Sequence, residues 1–326
     1  MLISRTPYRV SFFGGTTDYP QWFRDHPGAV LSTTINRYCY LSVRRLPPFF
    51  PHKTRASWSK IELVDSNADI THPSIRACLE YMGMEDGLEI HHDGDLPGRS
   101  GMGSSAAFTV GLLHALHGLK SEMVSKRQLA VEAMEVDQDL ANDVVGCQDH
   151  IASAFGGLNR IDFNGDRGAF TVTPMPVDKA KLRLFRDHLM LFYTGLQRTA
   201  SSVAARQVAV FPQKTAELRR IYETVGEGQK LLSDGRFREF GLLLHEAWMV
   251  KRSLGASNDR LDSIYGAALK SGALGGKVLG AGDGGFMLVF AEPDRRREVR
   301  DALYDLLYVP FEFEGQGGQI VYYAQE

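Results

Sequence analysis

The chain has 326 residues, which at about 100 to 200 residues per domain indicates two domains or one large one with a substantial buried core. Lys and Arg total 37 against 39 Asp and Glu, a formal net charge of −2, which excludes the strongly basic surface of a nucleic-acid-binding protein. Hydrophobic residues make up 44% and charged residues 23%, so disorder over the whole chain is excluded too.

Three cysteines occur, Cys39, Cys78 and Cys147, without the spacing of metal ligands, which indicates reduced thiols and not a disulfide framework. No apolar run approaches the roughly 18 residues that a membrane span needs. We therefore expect a soluble, cytoplasmic protein that binds neither nucleic acid nor membrane. The sequence leaves the oligomeric state open, and a homodimer is compatible with it.

Predicted strands and helices alternate along the chain with clusters of glycine. The predicted strands are residues 38–43, 61–64, 88–92, 189–193 and 286–290. The predicted helices are residues 106–119, 128–141, 212–232 and 242–254. Strands neighbour one another as often as they alternate with helices, which favours an α+β fold over a doubly wound parallel sheet. Two prolines at residues 173–178 indicate a linker, which divides the chain into domains 1–175 and 176–326.

The most informative stretch is a glycine-rich loop at residues 97–105. Its glycines let successive backbone N–H groups point into one concavity, and Ser104 or Ser105 occupies the expected N-cap of an apolar helix. This pattern predicts a phosphate-binding loop at the N-terminus of a buried helix. The residues assigned to the loop are Pro97, Gly98, Arg99, Ser100, Gly101, Met102, Gly103, Ser104 and Ser105.

Other interpretations of this loop are weaker. An ordinary strand-to-helix turn with a serine cap is the simplest one. The Walker pattern requires a Gly-Lys-Ser/Thr ending, and the loop has no lysine. The dinucleotide pattern G-x-G-x-x-G/A is matched by Gly101, Gly103 and Ala106, but residues 93–97 separate the loop from the preceding strand, whereas that fingerprint begins at a strand end.

Two further glycine motifs flank the loop along the chain. Residues 7–19 read PYRVSFFGGTTDY, and residues 277–290 read KVLGAGDGGFMLVF. In order and spacing the three motifs resemble those of the GHMP small-molecule kinases, which include galactokinase, homoserine kinase and mevalonate kinase. Residues 12–19, 146–150 and 155–159 are most similar to the subgroup that phosphorylates D-glycero-D-manno-heptose 7-phosphate.

The resemblance spans nearly the whole chain and implies a two-domain architecture. The N-terminal domain would resemble ribosomal protein S5 domain 2, the C-terminal domain would be ferredoxin-like, and ATP with Mg²⁺ would bind between them. The third motif would approach the phosphates from the second domain. Asp283 departs from the family, which usually has glycine there. Because a carboxylate near phosphates is unfavourable, we expect that its side chain faces away or that this loop contacts something else.

The resemblance also implies a catalytic pair. Asp149 matches the aspartate that abstracts or orients the proton of the attacking hydroxyl, and Arg9 matches an arginine near that aspartate. From the residues alone, Asp149 also reads as a helix N-cap or first-turn acid, and Arg9 as half of a surface salt bridge.

A magnesium site follows from the same resemblance. The family has a magnesium-binding glutamate about twelve residues before its catalytic aspartate, and 149 − 137 = 12. Asp137 falls on the apolar stripe of the predicted helix 128–141, where an acid without a partner is costly. We therefore expect Asp137 and Ser105 to be the metal ligands, although aspartate is one methylene shorter than glutamate.

The implied sugar site draws on the first and third glycine motifs and on two residues between them in the sequence. Asp18 resembles the residue that accepts hydrogen bonds from sugar hydroxyls. Arg198 and Lys251 are candidate cations for the substrate's own phosphate, although either side chain could equally face solvent. Trp58 is a candidate adenine contact. The remaining residues assigned to the substrate site are Gly14, Gly15, Thr16, Thr17 and Gly282.

The resemblance implies an ATP-dependent kinase that phosphorylates the anomeric hydroxyl of heptose 7-phosphate, in the synthesis of nucleotide-activated heptose for bacterial surface polysaccharide. Another GHMP kinase, acting on a neutral hexose or an isoprenoid precursor, is the first alternative. A sensor that binds a sugar and ATP on the same fold without catalysis is the second.

Overall fold

The computed structural model of the chain describes residues 1–197 and 200–324. The strands are β1 Leu2–Phe13, β2 Gly28–Arg45, β3 Thr54–Ser57, β4 Ile61–Val64, β5 Leu88–Gly94, β6 Asn159–Phe163, β7 Phe170–Pro174, β8 Leu189–Tyr193, β9 Ala273–Val278, β10 Phe286–Ala291, β11 Leu307–Tyr308, β12 Phe313–Glu314 and β13 Gln319–Tyr323. The α-helices are α1 Pro20–Phe23, α2 Pro73–Tyr81, α3 Ser104–Leu119, α4 Lys126–Glu135, α5 Gln148–Phe155, α6 Lys179–Asp187, α7 Ala200–Ala209, α8 Thr215–Asp234, α9 Phe237–Arg252, α10 Asp259–Lys270 and α11 Arg296–Ala302.

All the predicted strands and helices are present, and the differences lie mainly at their ends. The predicted strand 38–43 is the second half of the much longer β2. The predicted helix 128–141 is wrong in its last turn, because α4 ends at Glu135 and Val136–Leu140 form a π-helix. The prediction also omitted β1, the strand that leads into the first glycine motif.

Two sheets organise these elements. The larger one has the order β13-β1-β2-β5-β3-β4, with β6 and β12 also paired to β2 and β7 paired to β6. Its pairs are antiparallel except for β3 with β5. The smaller sheet is antiparallel with the order β11-β8-β10-β9. The combination of helices with two mostly antiparallel sheets confirms the α+β class.

The helix after the central loop lies at the centre of the first half. Helix α3 packs on β1 and β2, and its apolar residues are buried on nearly all sides, as its composition predicts. Gly111 permits the close approach, because a Cβ there would lie 2.8 Å from Thr6 Oγ1 on β1. The N-terminus of α3 is thereby fixed relative to the first glycine motif.

The second half of the chain packs against the first and returns to it. Helix α8 contacts β1 and β2, and strands β12 and β13 near the end of the chain join the larger sheet. The division at residue 175 stays a prediction. Phe12 and Phe13 of β1 meet Phe240 of α9 edge to face, with ring centroids 5.7 and 4.9 Å apart, so aromatic packing joins the two halves directly. Within the described residues, no helix is both long enough and apolar enough to span a membrane.

We predict that Gly228→Ala destabilises the protein. Gly228 is buried on α8, and a Cβ there would lie 2.3 Å from the buried Phe13 ring, so overpacking should lower the free energy of unfolding by about 1 to 3 kcal/mol. Gly226→Ala is the matched control: Gly226 is exposed on the same helix, and alanine there should raise stability by up to about 1 kcal/mol. Urea denaturation followed by circular dichroism measures both, and equal shifts would contradict the packing.

Candidate active site

A buried ion pair lies where the first motif meets helix α5. Arg9 Nε donates to Asp149 Oδ1 at 2.6 Å and Nη2 donates to Oδ2 at 2.7 Å, which is bidentate geometry. Arg9 is 1% exposed, whereas the Asp149 side chain keeps 24% of its surface exposed. The arginine therefore orients the carboxylate from behind and leaves part of it open to a ligand.

The central loop closes over this pair. Arg9 Nη1 donates to the Gly101 carbonyl at 2.7 Å, and the Arg9 amide donates to the Met102 carbonyl at 3.2 Å. A Cβ on Gly103 would lie 3.3 Å from both Arg9 Cγ and Asp149 Oδ2. The loop, the arginine and the aspartate, predicted separately from three parts of the sequence, thus form one cluster.

The expected serine N-cap of α3 is wrong by one residue. Gly103 is the N-cap, in the left-handed conformation with φ of 75°, and no side chain caps the helix. Ser104 and Ser105 are instead the first residues of the helix, and Ser105 is exposed. The first-turn amides of α3 therefore have no side-chain acceptor, which is the condition for binding a phosphate at a helix N-terminus. Pro97, Gly98 and Arg99 are exposed at the outer part of the loop.

The third motif lies against the central loop. A Cβ on Gly101 would lie 2.3 Å from the Leu279 carbonyl oxygen, and the Phe286 amide donates to the Ser100 carbonyl at 3.1 Å. Only backbone without side chains fits this contact. Gly282, with φ of 100°, packs instead on Ala256, since a Cβ there would lie 2.4 Å from the Ala256 oxygen.

The Asp283 carboxylate is held by two neighbouring side chains. Its Oδ1 accepts from Asn258 Nδ2 at 2.7 Å, and its Oδ2 lies 3.2 Å from Arg206 Nη2. The residue adopts φ of 62°, a left-handed conformation that aspartate tolerates. The Asn258 amide and the Arg206 guanidinium compensate the negative charge of Asp283, a charge that is absent where the family has its usual glycine.

The first motif forms a tight, buried turn around Asp18. Asp18 Oδ1 accepts from the Thr16 amide at 2.8 Å and Oδ2 accepts from the Gln148 amide at 3.2 Å, next to Asp149. Burial, and then the nearby Asp149 charge, raise the pKa of Asp18 above its ordinary value. Thr16 has φ of 100°, which is strained for a β-branched residue. Backbone strain beside two neighbouring acids is typical of a functional turn.

Two glycines and a threonine complete the turn. Gly14 has φ of 85°, and a Cβ there would lie 1.9 Å from the Ala29 oxygen, so only glycine fits. Thr17 Oγ1 donates a hydrogen bond to the Gly14 oxygen at 2.8 Å and accepts one from the Ala29 amide at 3.1 Å. Thr17 therefore holds the turn together. Gly15 lies beside Gln148, because a Cβ on Gly15 would be 3.3 Å from the Gln148 side-chain nitrogen.

Of the two cations predicted to bind the substrate's phosphate, the structure describes Lys251. Lys251 is buried on α9, and its Nζ donates to the Gly280 oxygen of the third motif at 2.6 Å. Burial lowers the pKa of Lys251 to about 8. Arg198 lies outside the described residues.

Asp137 does not fit direct metal coordination as the chain stands. Its Oδ1 accepts from Thr109 Oγ1 at 2.8 Å, its Oδ2 lies 2.9 Å from His150 Nε2, and the residue is 1% exposed. Thr109 lies one turn of α3, about 6 Å, beyond the exposed Ser105. No group of three or more His, Cys, Asp or Glu side chains in the described part of the chain is placed to hold a metal. Metal coordination by Asp137 and Ser105 stays a prediction from the sequence, and the two hydrogen bonds of the Asp137 carboxylate oppose its part in it.

Trp58 belongs to an aromatic cluster beside α3. Its ring meets His72 edge to face at 4.7 Å, and His72 stacks on Phe108 of α3 at 4.9 Å. Burial lowers the pKa of His72 to about 4, so the imidazole is neutral near pH 7. Trp58 Nε1 also donates to Glu62 Oε1 at 2.8 Å, and adenine contact by Trp58 stays a prediction.

Several polar residues of this region were missed from the sequence. Thr109 and His150 contact Asp137, and Lys277 donates to the Phe12 oxygen at 3.0 Å from the opposite half of the chain. His150 directly follows Asp149 and Lys277 is the first residue of the third motif, so their places in the sequence could have indicated that both lie near the site. Thr109 carried none, because a threonine in an apolar helix is ordinary.

Comparisons with known proteins agree with this architecture. Family models for the N-terminal and C-terminal domains of GHMP kinases match residues 70–157 and 229–309. The chain belongs to the GHMP kinase family. It is therefore a phosphotransferase, and the kinases of this family use ATP.

Similar proteins include two kinds of sugar kinase. D-glycero-alpha-D-manno-heptose 7-phosphate kinase of Campylobacter jejuni is 25% identical over 313 residues, 92% of each chain. A galactokinase of Thermococcus kodakarensis is 26% identical over 88% of each. Among solved structures, a D-glycero-D-manno-heptose 1-phosphate kinase from Bacteroides thetaiotaomicron matches all of both chains with a TM-score of 0.80 and 22% identity. The last match shows that the whole GHMP kinase fold is shared.

We predict that Asp137→Asn lowers stability and leaves the magnesium requirement unchanged. Breaking a buried, hydrogen-bonded pair with His150 should lower the free energy of unfolding by about 3 kcal/mol. The matched control is Asp139→Asn in the same π-helix, whose carboxylate is mostly exposed and which should change stability by less than about 0.5 kcal/mol. Thermal melts and Mg²⁺ titration of activity measure both effects. Unchanged stability with a tenfold higher Mg²⁺ requirement would instead establish Asp137 as a metal ligand.

Proposed function

We propose that this GHMP kinase transfers the γ-phosphoryl group of ATP to the anomeric hydroxyl of D-glycero-D-manno-heptose 7-phosphate, within the synthesis of nucleotide-activated heptose. The observation that carries the kinase chemistry is the Arg9–Asp149 pair lying under a loop whose helix amides lack an acceptor. The heptose phosphate kinases among the similar proteins, which match almost all of this chain, support the choice of substrate.

In the proposed step, the anomeric oxygen bonds to the γ-phosphorus while the bond from that phosphorus to the bridging oxygen of ADP breaks. The hydroxyl proton passes to Asp149, and the products are ADP and the heptose 1,7-bisphosphate. Such a transfer needs an aligned nucleophile and neutralised oxygens more than covalent help. Asp149 supplies the alignment, and the first-turn amides of α3 neutralise phosphate charge.

Magnesium is part of the proposal only as the ion that would accompany ATP and neutralise its phosphate oxygens. Ser105, exposed on the first turn of α3, is the described side chain that we propose as its ligand. Asp137 could join it only after its hydrogen bonds to Thr109 and His150 break.

A neutral hexose is the second candidate substrate. The galactokinase of Thermococcus kodakarensis is 26% identical to this chain over 88% of its length, against 25% over 92% for the heptose kinase of Campylobacter jejuni. Either sugar would present its anomeric hydroxyl to the same Arg9–Asp149 pair of this chain, so the choice between them depends on contacts at the far end of the sugar.

A substrate panel tests the proposal. We expect ADP release with heptose 7-phosphate at a kcat/KM at least about tenfold higher than with mannose, galactose, mevalonate or homoserine. Asp149→Asn is the control for contaminating kinases: it should lower kcat by about 10² to 10⁴ and leave the Kd for ATP within about threefold. Galactose as the best substrate would select the second candidate. Turnover of no sugar, or an unchanged rate in Asp149→Asn, would contradict the proposed chemistry.

A further inference from the structure

Two buried lysines lie beside Gly14 and Gly15 of the first glycine motif. Lys251 on α9 and Lys277 on β9 are 5% and 6% exposed. Their ammonium groups donate to the main-chain oxygens of Gly280, at 2.6 Å, and Phe12, at 3.0 Å. Within the described residues, no carboxylate oxygen lies within 4.0 Å of either ammonium. Neither ammonium therefore makes a direct ion pair, although the charge of Asp18 acts on both and partly offsets their burial.

This arrangement is costly unless an anion completes it. Burial lowers the pKa of Lys251, and burial together with the Lys251 charge holds the pKa of Lys277 well below its ordinary value. Each ammonium has three N–H donors, of which the main-chain oxygen uses one. A buried cation that lacks a counterion is stabilised by any anion that reaches it.

The lysines share a small cavity with an unpaired indole. Trp248, one turn before Lys251 on α9, lines the same space, and its buried Nε1–H has no hydrogen-bond partner. The opposite wall is the segment from Phe12 to Gly15. The free space is about 10 Å³, room for one oxygen atom, and no acidic side chain lines it.

We propose that Lys251, Lys277 and Trp248 bind an oxygen of the phosphate group that the sugar already carries when it enters the site. The inference rests on the proposed sugar kinase activity and deepens it, since it selects phosphorylated sugars over neutral ones. A phosphate with two negative charges balances the two ammonium charges. One of its oxygens fills the cavity, and the rest of the group lies at the mouth beside Gly15.

The position of the cavity separates this phosphate from those of ATP. None of residues 97–105, the predicted ATP loop, lines the cavity. The wall is instead the Gly14–Gly15 turn, which leads directly to Asp18. An anion bound here would therefore contact the first glycine motif and not residues 97–105.

The test compares Lys277→Met and Lys251→Met with Lys270→Met, an exposed lysine at the end of α10 that serves as the matched control. We expect KM for heptose 7-phosphate to rise at least about tenfold in the first two variants. KM for ATP, and kcat/KM for the unphosphorylated heptose, should stay within about twofold. The control should match the wild type throughout.

Equilibrium binding measurements test the phosphate subsite independently of catalytic turnover. Calorimetry with inorganic phosphate and with heptose 7-phosphate, without ATP, should give binding to the wild type and to Lys270→Met and none to Lys277→Met. Lys277→Gln, which removes the charge and keeps a donor for the Phe12 oxygen, should lose binding equally, and thermal melts confirm that each variant is folded.

The outcomes are distinguishable. Retained affinity for the phosphorylated sugar in the lysine variants would overturn the subsite and leave the kinase proposal intact. An equal loss for both heptoses, or a higher KM for ATP, would also overturn it, because the lysines would then serve the catalytic centre or ATP. Phosphate binding that depends on the lysines, without turnover of any sugar, would support the subsite and contradict the kinase proposal. A wild type that binds neither ligand would overturn the subsite, and the substrate panel would still decide the kinase proposal.

Discussion

The bidentate contact between Arg9 and Asp149 is the interaction on which the rest of the site depends. One guanidinium holds the carboxylate with two nitrogens and the Gly101 oxygen with the third. Because Arg9 belongs to β1, Asp149 to α5 and Gly101 to the loop, this single side chain fixes three segments that are far apart in the sequence. Loss of the Arg9 side chain would leave the mostly buried Asp149 carboxylate without its cation, which is destabilising.

Similar support surrounds the pair. The third motif packs its backbone against the loop, and Asp18 ties the first motif to the start of α5 through the Gln148 amide. Glycine is required where these segments touch, because a side chain would collide with a neighbouring carbonyl. Rigid support of this kind holds the reacting groups in place before the substrates arrive, which is what phosphoryl transfer mainly needs.

Much of this site could be predicted from the sequence, because glycine clusters report backbone contacts directly. The loop, Arg9, Asp149 and Asp18 come together as the resemblance to the family implied, and the α+β class follows from the strand and helix patterns. Partners across the fold could not be predicted. The binding of Asp137 by Thr109 and His150, and the meeting of Lys251 and Lys277 at one cavity, depend on how helices pack and not on local pattern. The helix start at Gly103 was missed because either serine was a better cap by propensity.

In this account the amides at the start of α3 bind the triphosphate of ATP so that its terminal phosphate faces Asp149. A crystal structure with an unreactive ATP analogue and heptose 7-phosphate measures this directly. The account predicts phosphate oxygens within about 3 Å of the amides at the start of α3, and the anomeric oxygen within about 3 Å of an Asp149 carboxylate oxygen. A triphosphate bound away from this helix, or a sugar whose hydroxyls all lie out of reach of Asp149, would contradict it.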